Sequence, residues 1–182
     1  MFSYHYPGKQ AVAFPPSKDH SSSAEAKRAL GLDPDALHLV ALVSNTPGDF
    51  LSDLLSMVYV CDDHDSEISI LCANNAGLFQ KLDDELGHLE TIHLHDKEID
   101  WRKLLDSADL LLTEGQDSVL AEALKRQLPL VLIGTAEQDA WAYLADQGCA
   151  VSSQDDVELA ELCVRLLDDE GLRAKMAGAY LH

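Results

Sequence analysis

The stretch that decides the fold runs from Ser107 to Ile133 and reads SADLLLTEGQDSVLAEALKRQLPLVLI. It contains a strand-length segment over 109–113 with three leucines at its centre, an amphipathic segment over 117–126 and an apolar run over 128–133. Short apolar runs on either side of a helical segment are typical of two buried parallel strands joined by a helix. The stretch therefore predicts a strand–helix–strand unit.

The same alternation extends in both directions. Further strands are predicted over 37–43, 68–72, 90–95 and 149–151. Further helices are predicted over 48–58, 76–86, 99–107, 138–147, 155–168 and 170–178, after a short first helix capped by Ser23 and ended by Gly31. Such a chain requires a parallel sheet covered on both faces. The predicted fold is α/β, a Rossmann-like parallel sheet of about six strands.

The 182 residues suffice for one sizeable core and not for two ordinary domains. Residues 1–22 contain Pro7, Gly8, Pro15 and Pro16 and are predicted to be a lead-in or linker. Residues 23–182 are predicted to form the domain.

The formal net charge of −19 argues against nucleic acid or an anionic membrane as a partner. Eleven acidic residues and one base, Lys81, lie between Thr46 and Asp96. Two interpretations stay open: a solvated face that favours solubility, and a docking surface for a basic partner.

Membrane insertion and secretion are not indicated by the sequence. No apolar run approaches the ~18–20 residues that cross a bilayer, and Phe2, Tyr4, His5 and Tyr6 stand where a signal peptide would need a basic end. The four cysteines lie among apolar neighbours and are predicted to be buried free thiols. A cytoplasmic location is predicted.

Ligands of such sheets bind beyond the carboxyl ends of the strands, where helix N-termini point their amides outward. The segments to search are the loops at 44–48, 73–76, 93–98, 114–118 and 134–139.

The order of signals from Leu105 to Met176 resembles the C-terminal half of GT-B glycosyltransferases, in the group that holds the lipid-II N-acetylglucosaminyltransferase and the diacylglycerol glycosyltransferases. The part over 108–124, followed by Leu128-Pro129, carries most of the resemblance, which covers roughly residues 24–178.

This resemblance implies the donor-binding half of an enzyme that transfers a sugar from a UDP-sugar-type donor to an acceptor. The nucleotide sugar would be a substrate, and no cofactor is implied. The acceptor half would belong to the same parent chain or to a partner subunit, so the isolated domain is expected to be inactive. The resemblance does not assign catalytic residues within this chain.

Several site residues follow from the resemblance alone. Glu122 matches the acid that binds the nucleotide ribose, although an acid in the first turns of a helix also favours the helix dipole. Gln138 and Asp139 lie close to a donor-sugar contact, and the backbone at Leu94 matches the segment that holds the base. Asn45, Gln116 and Ser118 belong to the two turns expected to face the donor. His93 and His95 share one strand face but have no third ligand nearby, so no metal site is predicted.

The two turns depart from the family pattern, which has glycines that let backbone amides approach a diphosphate. The first turn, over 44–48, has one glycine and Pro47, which has no amide to donate. The second, over 114–118, carries Glu114 and Asp117 where a phosphate would lie. A carboxylate ~4 Å from a phosphate costs about 1–4 kcal/mol, or roughly 10- to 1000-fold in affinity.

Two other functions therefore stay open beside the glycosyltransferase. One is a degenerate, non-catalytic binding or scaffold module of the same fold, indicated by the acids in the second turn. The other is a UDP-sugar hydrolase or epimerase.

Overall fold

The structure is a computed structural model that describes residues 2–4, 12–14, 20–62, 66–95, 99–134 and 139–180. In chain order its elements are β1 (Phe2–Tyr4), β2 (Val12–Phe14), α1 (His20–Ala29), β3 (His38–Val43), α2 (Gly48–Cys61), β4 (Glu67–Cys72), α3 (Ala76–Leu86), β5 (Ile92–His95), α4 (Trp101–Ser107), β6 (Leu110–Thr113), α5 (Asp117–Arg126), β7 (Leu130–Ile133), α6 (Asp139–Gln147), β8 (Ala150–Ser153), α7 (Asp156–Asp168) and α8 (Glu170–Ala179).

Six of the strands form one parallel sheet in the order β5-β4-β3-β6-β7-β8. The chain first builds outward from β3 to β5 and then returns to β6 on the other side of β3. The order therefore reverses between β3 and β6, and that reversal opens a crevice at the carboxyl ends of these two strands. The predicted α/β fold with about six parallel strands is confirmed.

Apolar side chains cover both faces of the central strands, which explains why β3, β6 and β7 are mostly apolar. All six residues of β3 are buried. Leu39, Ala41 and Val43 join a core with α2, α3 and α7, whereas Val40 and Leu42 join a second core with α4, α5 and α6. Side chains of a strand alternate between its two faces, so a strand covered on both faces must be apolar throughout.

The first helix differs from its predicted start. It begins at His20, within the predicted lead-in, and Ser23 lies inside it. The Ser23 hydroxyl donates to the Ser107 carbonyl (3.5 Å) and so does not cap the helix as predicted. Gly31 follows the helix with φ +76°, which is a conformation that glycine adopts without strain.

Earlier in the chain, β1 and β2 pair antiparallel, with Phe2 opposite Phe14, and form a separate two-stranded sheet. The proposed boundary at residue 22 stays a prediction. Cys72, Cys149 and Cys163 are buried free thiols as predicted, but Cys61, in the last turn of α2, is exposed, and that prediction is wrong. Within the described ranges, every helix is too short or too polar to span a membrane.

A buried polar layer connects the amino ends of the strands to α1. Lys27, with a side chain only 7% exposed, forms an ion pair with Asp109 (2.7 Å) and donates to the Ala36 carbonyl (2.8 Å). Asp109 also accepts from the backbone amide of His38 (2.9 Å). These contacts fix the start of β3 against α1 and the entry to β6.

The ring of His38 completes this layer. Its Nδ1 lies 2.7 Å from the Ser107 hydroxyl, and its Nε2 lies 2.7 Å from the Ser69 hydroxyl. Ser107 donates its hydrogen to the Leu104 carbonyl, so it accepts from Nδ1–H, and Nε2 then accepts from Ser69. Burial, followed by the charge on Lys27, lowers the pKa of His38 from 6.5 to about 3. The imidazole is therefore neutral at pH 7.

Candidate functional site

Two turns face each other at the crevice between β3 and β6. The first turn, over 44–47, leads from β3 into α2, and the second, over 114–116, leads from β6 into α5. Because β3 and β6 are adjacent parallel strands with Leu42 opposite Thr113, the two turns leave the sheet side by side. This carboxyl edge is where an α/β sheet of this order binds ligands.

The carboxylate of Glu114 bridges the two turns. Its Oε1 accepts from the backbone amides of Ser44 and Asn45, and its Oε2 also accepts from Asn45 (3.0 Å and 3.1 Å for the two Asn45 contacts). Consecutive turn amides that point at one anion form a cradle for negative charge. In this chain the anion in the cradle is a side chain of the protein.

Further hydrogen bonds hold the first turn in place. The side-chain amide of Gln116 donates to the Ser44 hydroxyl (3.2 Å), and the side-chain amide of Asn75 donates to the backbone carbonyl of Ser44 (2.6 Å). Asn75 also caps α3 by accepting from the Leu78 amide (3.0 Å). Asn45 and Gln116, both predicted as donor contacts, thus meet at the crevice, and Ser118 is exposed beside them in the first turn of α5.

Gly115 has a packing role in the second turn. Its φ is +83°, and its carbonyl accepts from the indole Nε1 of Trp141 (3.3 Å). A Cβ at this position would overlap the Trp141 ring. The glycine is therefore required by a buried side chain of this protein, whatever the crevice binds.

Two cavities flank the bridging carboxylate. A cavity of about 220 Å³ lies toward β4 and is lined by Ala73, Trp101, Gln116, Ser118 and the apolar ends of the strands. A more open cavity of about 430 Å³ lies toward β7, with Asn45, Pro47, Glu114 and Gln154 among its lining residues. Pockets for whole small ligands measure ~300–1,000 Å³. The smaller cavity thus has room for a single ring system.

Glu122 is held by three bases. Its carboxylate lies 2.6 Å from Arg126, 3.1 Å from Lys125 and 3.5 Å from Arg102. Burial raises the pKa of Glu122, but the hydrogen bonds from Arg126 and Lys125 outweigh burial, so its net pKa is below the ordinary value. Sequence reasoning overlooked this cluster. The i+3 and i+4 spacing of Lys125 and Arg126 from Glu122 is the signal that would have found two of its members.

The other predicted donor contacts lie away from the crevice or outside the residues that the structure describes. Leu94 is in β5, at the edge of the sheet and two strands away from β3, and it packs against the first core. Gln138 is not among the described residues. Asp139 begins α6, but its side chain is also outside the description.

His93 of β5 belongs to a local pair with an acid on the neighbouring strand. His93 Nε2 lies 2.5 Å from a carboxylate oxygen of Glu67 on the neighbouring strand. In the described part of the chain, no group of three His, Cys, Asp or Glu residues could hold a metal ion.

Comparison with known proteins supports the fold. No protein-family model matches the chain, and no curated protein sequence matches it. Among solved structures, the glycosyltransferase WaaG of lipopolysaccharide biosynthesis is similar, with a TM-score of 0.71. A protein from Listeria monocytogenes described as a UDP-N-acetylglucosamine 2-epimerase is also similar, with a TM-score of 0.70. Their identities are 22% and 19%, and this chain is covered to 93% and 84%.

A third similar structure is the UDP-GlcNAc 2-epimerase from Neisseria meningitidis bound to UDP-GlcNAc, with a TM-score of 0.67, 14% identity and 84% of this chain covered. The match covers 49%, 41% and 43% of the three solved chains, in the order given. The chain thus spans less than half the length of each. The solved structures that share its fold are GT-B glycosyltransferases and UDP-GlcNAc 2-epimerases.

Proposed function

We propose that this chain is the nucleotide-sugar-binding half of a two-domain, GT-B-type protein, with a UDP-sugar as the donor. The observation that carries the proposal is the crevice at the reversal of strand order, where Gln116 and Ser118 line the smaller cavity and Asn45 lines the larger one. The solved proteins of this fold support it, since they include glycosyltransferases and an epimerase bound to UDP-GlcNAc.

In a glycosyltransferase the reaction would be displacement at the anomeric carbon of the donor. The acceptor and a second domain would come from the same parent chain or from a partner subunit. Membership of the lipid-II or diacylglycerol glycosyltransferase group, a cytoplasmic location, and donor roles for Glu122, Leu94, Gln138 and Asp139 belong to this proposal.

The bridging carboxylate favours a second candidate, a non-catalytic binding module of the same fold. Glu114 already occupies the amides of Ser44 and Asn45, and Glu122 is surrounded by bases. An epimerase or hydrolase is compatible with the solved structures as well. Incubating a longer parent protein with UDP-GlcNAc and no acceptor separates that possibility, because only an epimerase or a hydrolase changes the donor in that assay.

Calorimetric titration of the chain with uridine, UDP and UDP-GlcNAc tests the proposal. We expect binding of at least the nucleoside part at millimolar concentration. Ala73→Phe should abolish binding by filling the smaller cavity, whereas Ala76→Phe, an exposed alanine three residues along that does not line the cavity, should leave it unchanged. If uridine, UDP and UDP-GlcNAc all fail to bind the unmodified chain, the proposed function is wrong.

A further inference from the structure

Glu114 occupies the position at which this crevice would hold an anionic ligand group. The turn after β3 leads into a 14-residue helix, α2, at the reversal of strand order. Turn amides at such a place are the groups that bind phosphates in α/β proteins. Both oxygens of the Glu114 carboxylate accept from these amides, so the side chain makes the contacts that phosphate oxygens would make.

The first turn is organised around this carboxylate. Every polar atom of Ser44 is engaged: its amide with Glu114, its hydroxyl with Gln116 and its carbonyl with Asn75. Pro47, which precedes α2, has no amide to offer a second anion. The first turn is therefore held by hydrogen bonds from two other segments of the chain, the second turn and Asn75.

No nearby base offsets the negative charge at the crevice. In the described ranges, Glu114 forms no ion pair with a lysine, an arginine or a histidine. Asp49 adds a second acid in the first turn of α2. Lys81, which approaches this turn, is bound to Asp49 (2.6 Å) and Glu85 (2.8 Å). A phosphate entering the crevice would therefore meet an unneutralised carboxylate.

From these contacts we infer that Glu114 is a built-in substitute for a ligand phosphate, so that the diphosphate of a nucleotide adds no affinity to that of its nucleoside. The inference rests on the proposed function for the nucleoside and on the contacts of Glu114 for the exclusion of phosphate. The smaller cavity, of about 220 Å³ and lined mostly by apolar groups beside Trp101, suits a single ring system and lies next to the closed cradle.

Titration of four proteins with uridine and UDP tests the inference: the unmodified chain, Glu114→Ala, Glu114→Gln and Asp117→Asn. In the unmodified chain UDP should bind no more tightly than uridine. Glu114→Ala should strengthen UDP binding by roughly 10- to 1000-fold and leave uridine binding unchanged, since a carboxylate ~4 Å from a phosphate costs about that factor.

The two other variants separate the effect of an oxygen that occupies the turn amides from the effect of negative charge at the crevice. Glu114→Gln removes the charge but keeps a carbonyl oxygen that can accept from the same amides, so its gain for UDP should be smaller than that of Glu114→Ala. Asp117→Asn makes the same change in net charge on the neighbouring helix turn without opening the cradle, so its gain should be smaller still. Glu114→Gln also keeps the test decisive if Glu114→Ala does not fold.

Inorganic pyrophosphate separates this inference from the proposed function. In nitrogen–proton NMR spectra of Glu114→Ala, pyrophosphate should shift the amide signals of Ser44 and Asn45, and in the unmodified chain it should not. That result supports the inference even if no variant binds uridine or UDP, in which case only the proposed function fails. Equal pyrophosphate shifts in both proteins, no shift in either, or a measurable UDP affinity that Glu114→Ala leaves unchanged would overturn the inference.

Discussion

At each end of β3 an acidic side chain from beside β6 accepts hydrogen bonds from backbone amides, but the two acids differ in their surroundings. Asp109, just before β6, accepts from the amide of His38 at the start of β3, and Glu114, just after β6, accepts from the amides of Ser44 and Asn45 at its end. At the amino edge the acid has a buried counter-ion, Lys27. At the carboxyl edge the acid faces an open crevice and is satisfied by backbone amides.

The difference teaches which acid stabilises the fold. A buried lysine depends on its carboxylate, because water cannot replace the lost partner. The amide of Asn45 can instead be solvated, since Asn45 is exposed. We therefore assign Asp109 to stability, and we expect Glu114 to contribute little to it.

The largest expected effect on stability comes from removing Asp109, the counter-ion of the buried lysine. Asp109→Ala should lower the free energy of unfolding by about 3–5 kcal/mol, because it leaves the buried Lys27 charge without its counter-ion. Glu114→Ala should change it by about 1 kcal/mol, since the exposed Asn45 amide regains water and the Ser44 amide is only half-buried. Urea unfolding followed by circular dichroism measures both.

A double variant controls for the cause of that loss. Lys27→Met combined with Asp109→Ala removes the stranded charge and should be more stable than Asp109→Ala alone. Equal losses for Asp109→Ala and Glu114→Ala would remove the distinction between the two edges.

The next effect concerns the rigidity of the carboxyl edge. Gly115→Ala should cost about 2–4 kcal/mol, because it combines a left-handed backbone with overlap on the buried Trp141 ring. Gly31→Ala is the matched control: its φ is +76°, but nothing lies within 4 Å of an added Cβ. Its cost should be only about 1 kcal/mol. Thermal unfolding of both variants provides the comparison. Similar losses of stability in Gly115→Ala and Gly31→Ala would mean that the Trp141 contact does not fix the second turn.

Local sequence pattern was sufficient for the six strands of the parallel sheet and for the helices after α1, but not for β1 and β2. Strands covered on both faces are largely apolar, so the central strands β3, β6 and β7 were visible as apolar runs. The start of α1 was missed because a serine before a helical segment predicts a cap, whereas Ser23 contacts Ser107 from within the helix. The order of the strands was not visible, and that order separates Leu94 from Asn45 and Gln116.

The contacts that define the two edges join distant parts of the chain. Glu114 lies 70 residues from Ser44, and Lys27 lies 82 residues from Asp109. No local spacing identifies such pairs. The sequence did indicate an acid in the second turn near the expected phosphate position, but only the sheet, by bringing the two turns together, determines which amides that acid binds.

The smallest of the three effects is the pH dependence of the amino edge. The pKa of His38 is lowered to about 3 in the folded chain, so the unfolded chain binds a proton near pH 6.5 that the folded chain does not. The stability from this depressed pKa is present above pH 6.5 and is lost as the pH falls toward 3. Between pH 7 and pH 5 the loss should be about 2 kcal/mol. Urea unfolding at the two pH values, in the unmodified chain and in His38→Asn, measures this contribution of His38. The pH-dependent contribution of the carboxylates is common to both proteins and cancels in the comparison. If His38→Asn loses as much stability as the unmodified chain over this interval, the buried imidazole is not the group that makes the amino edge sensitive to acid.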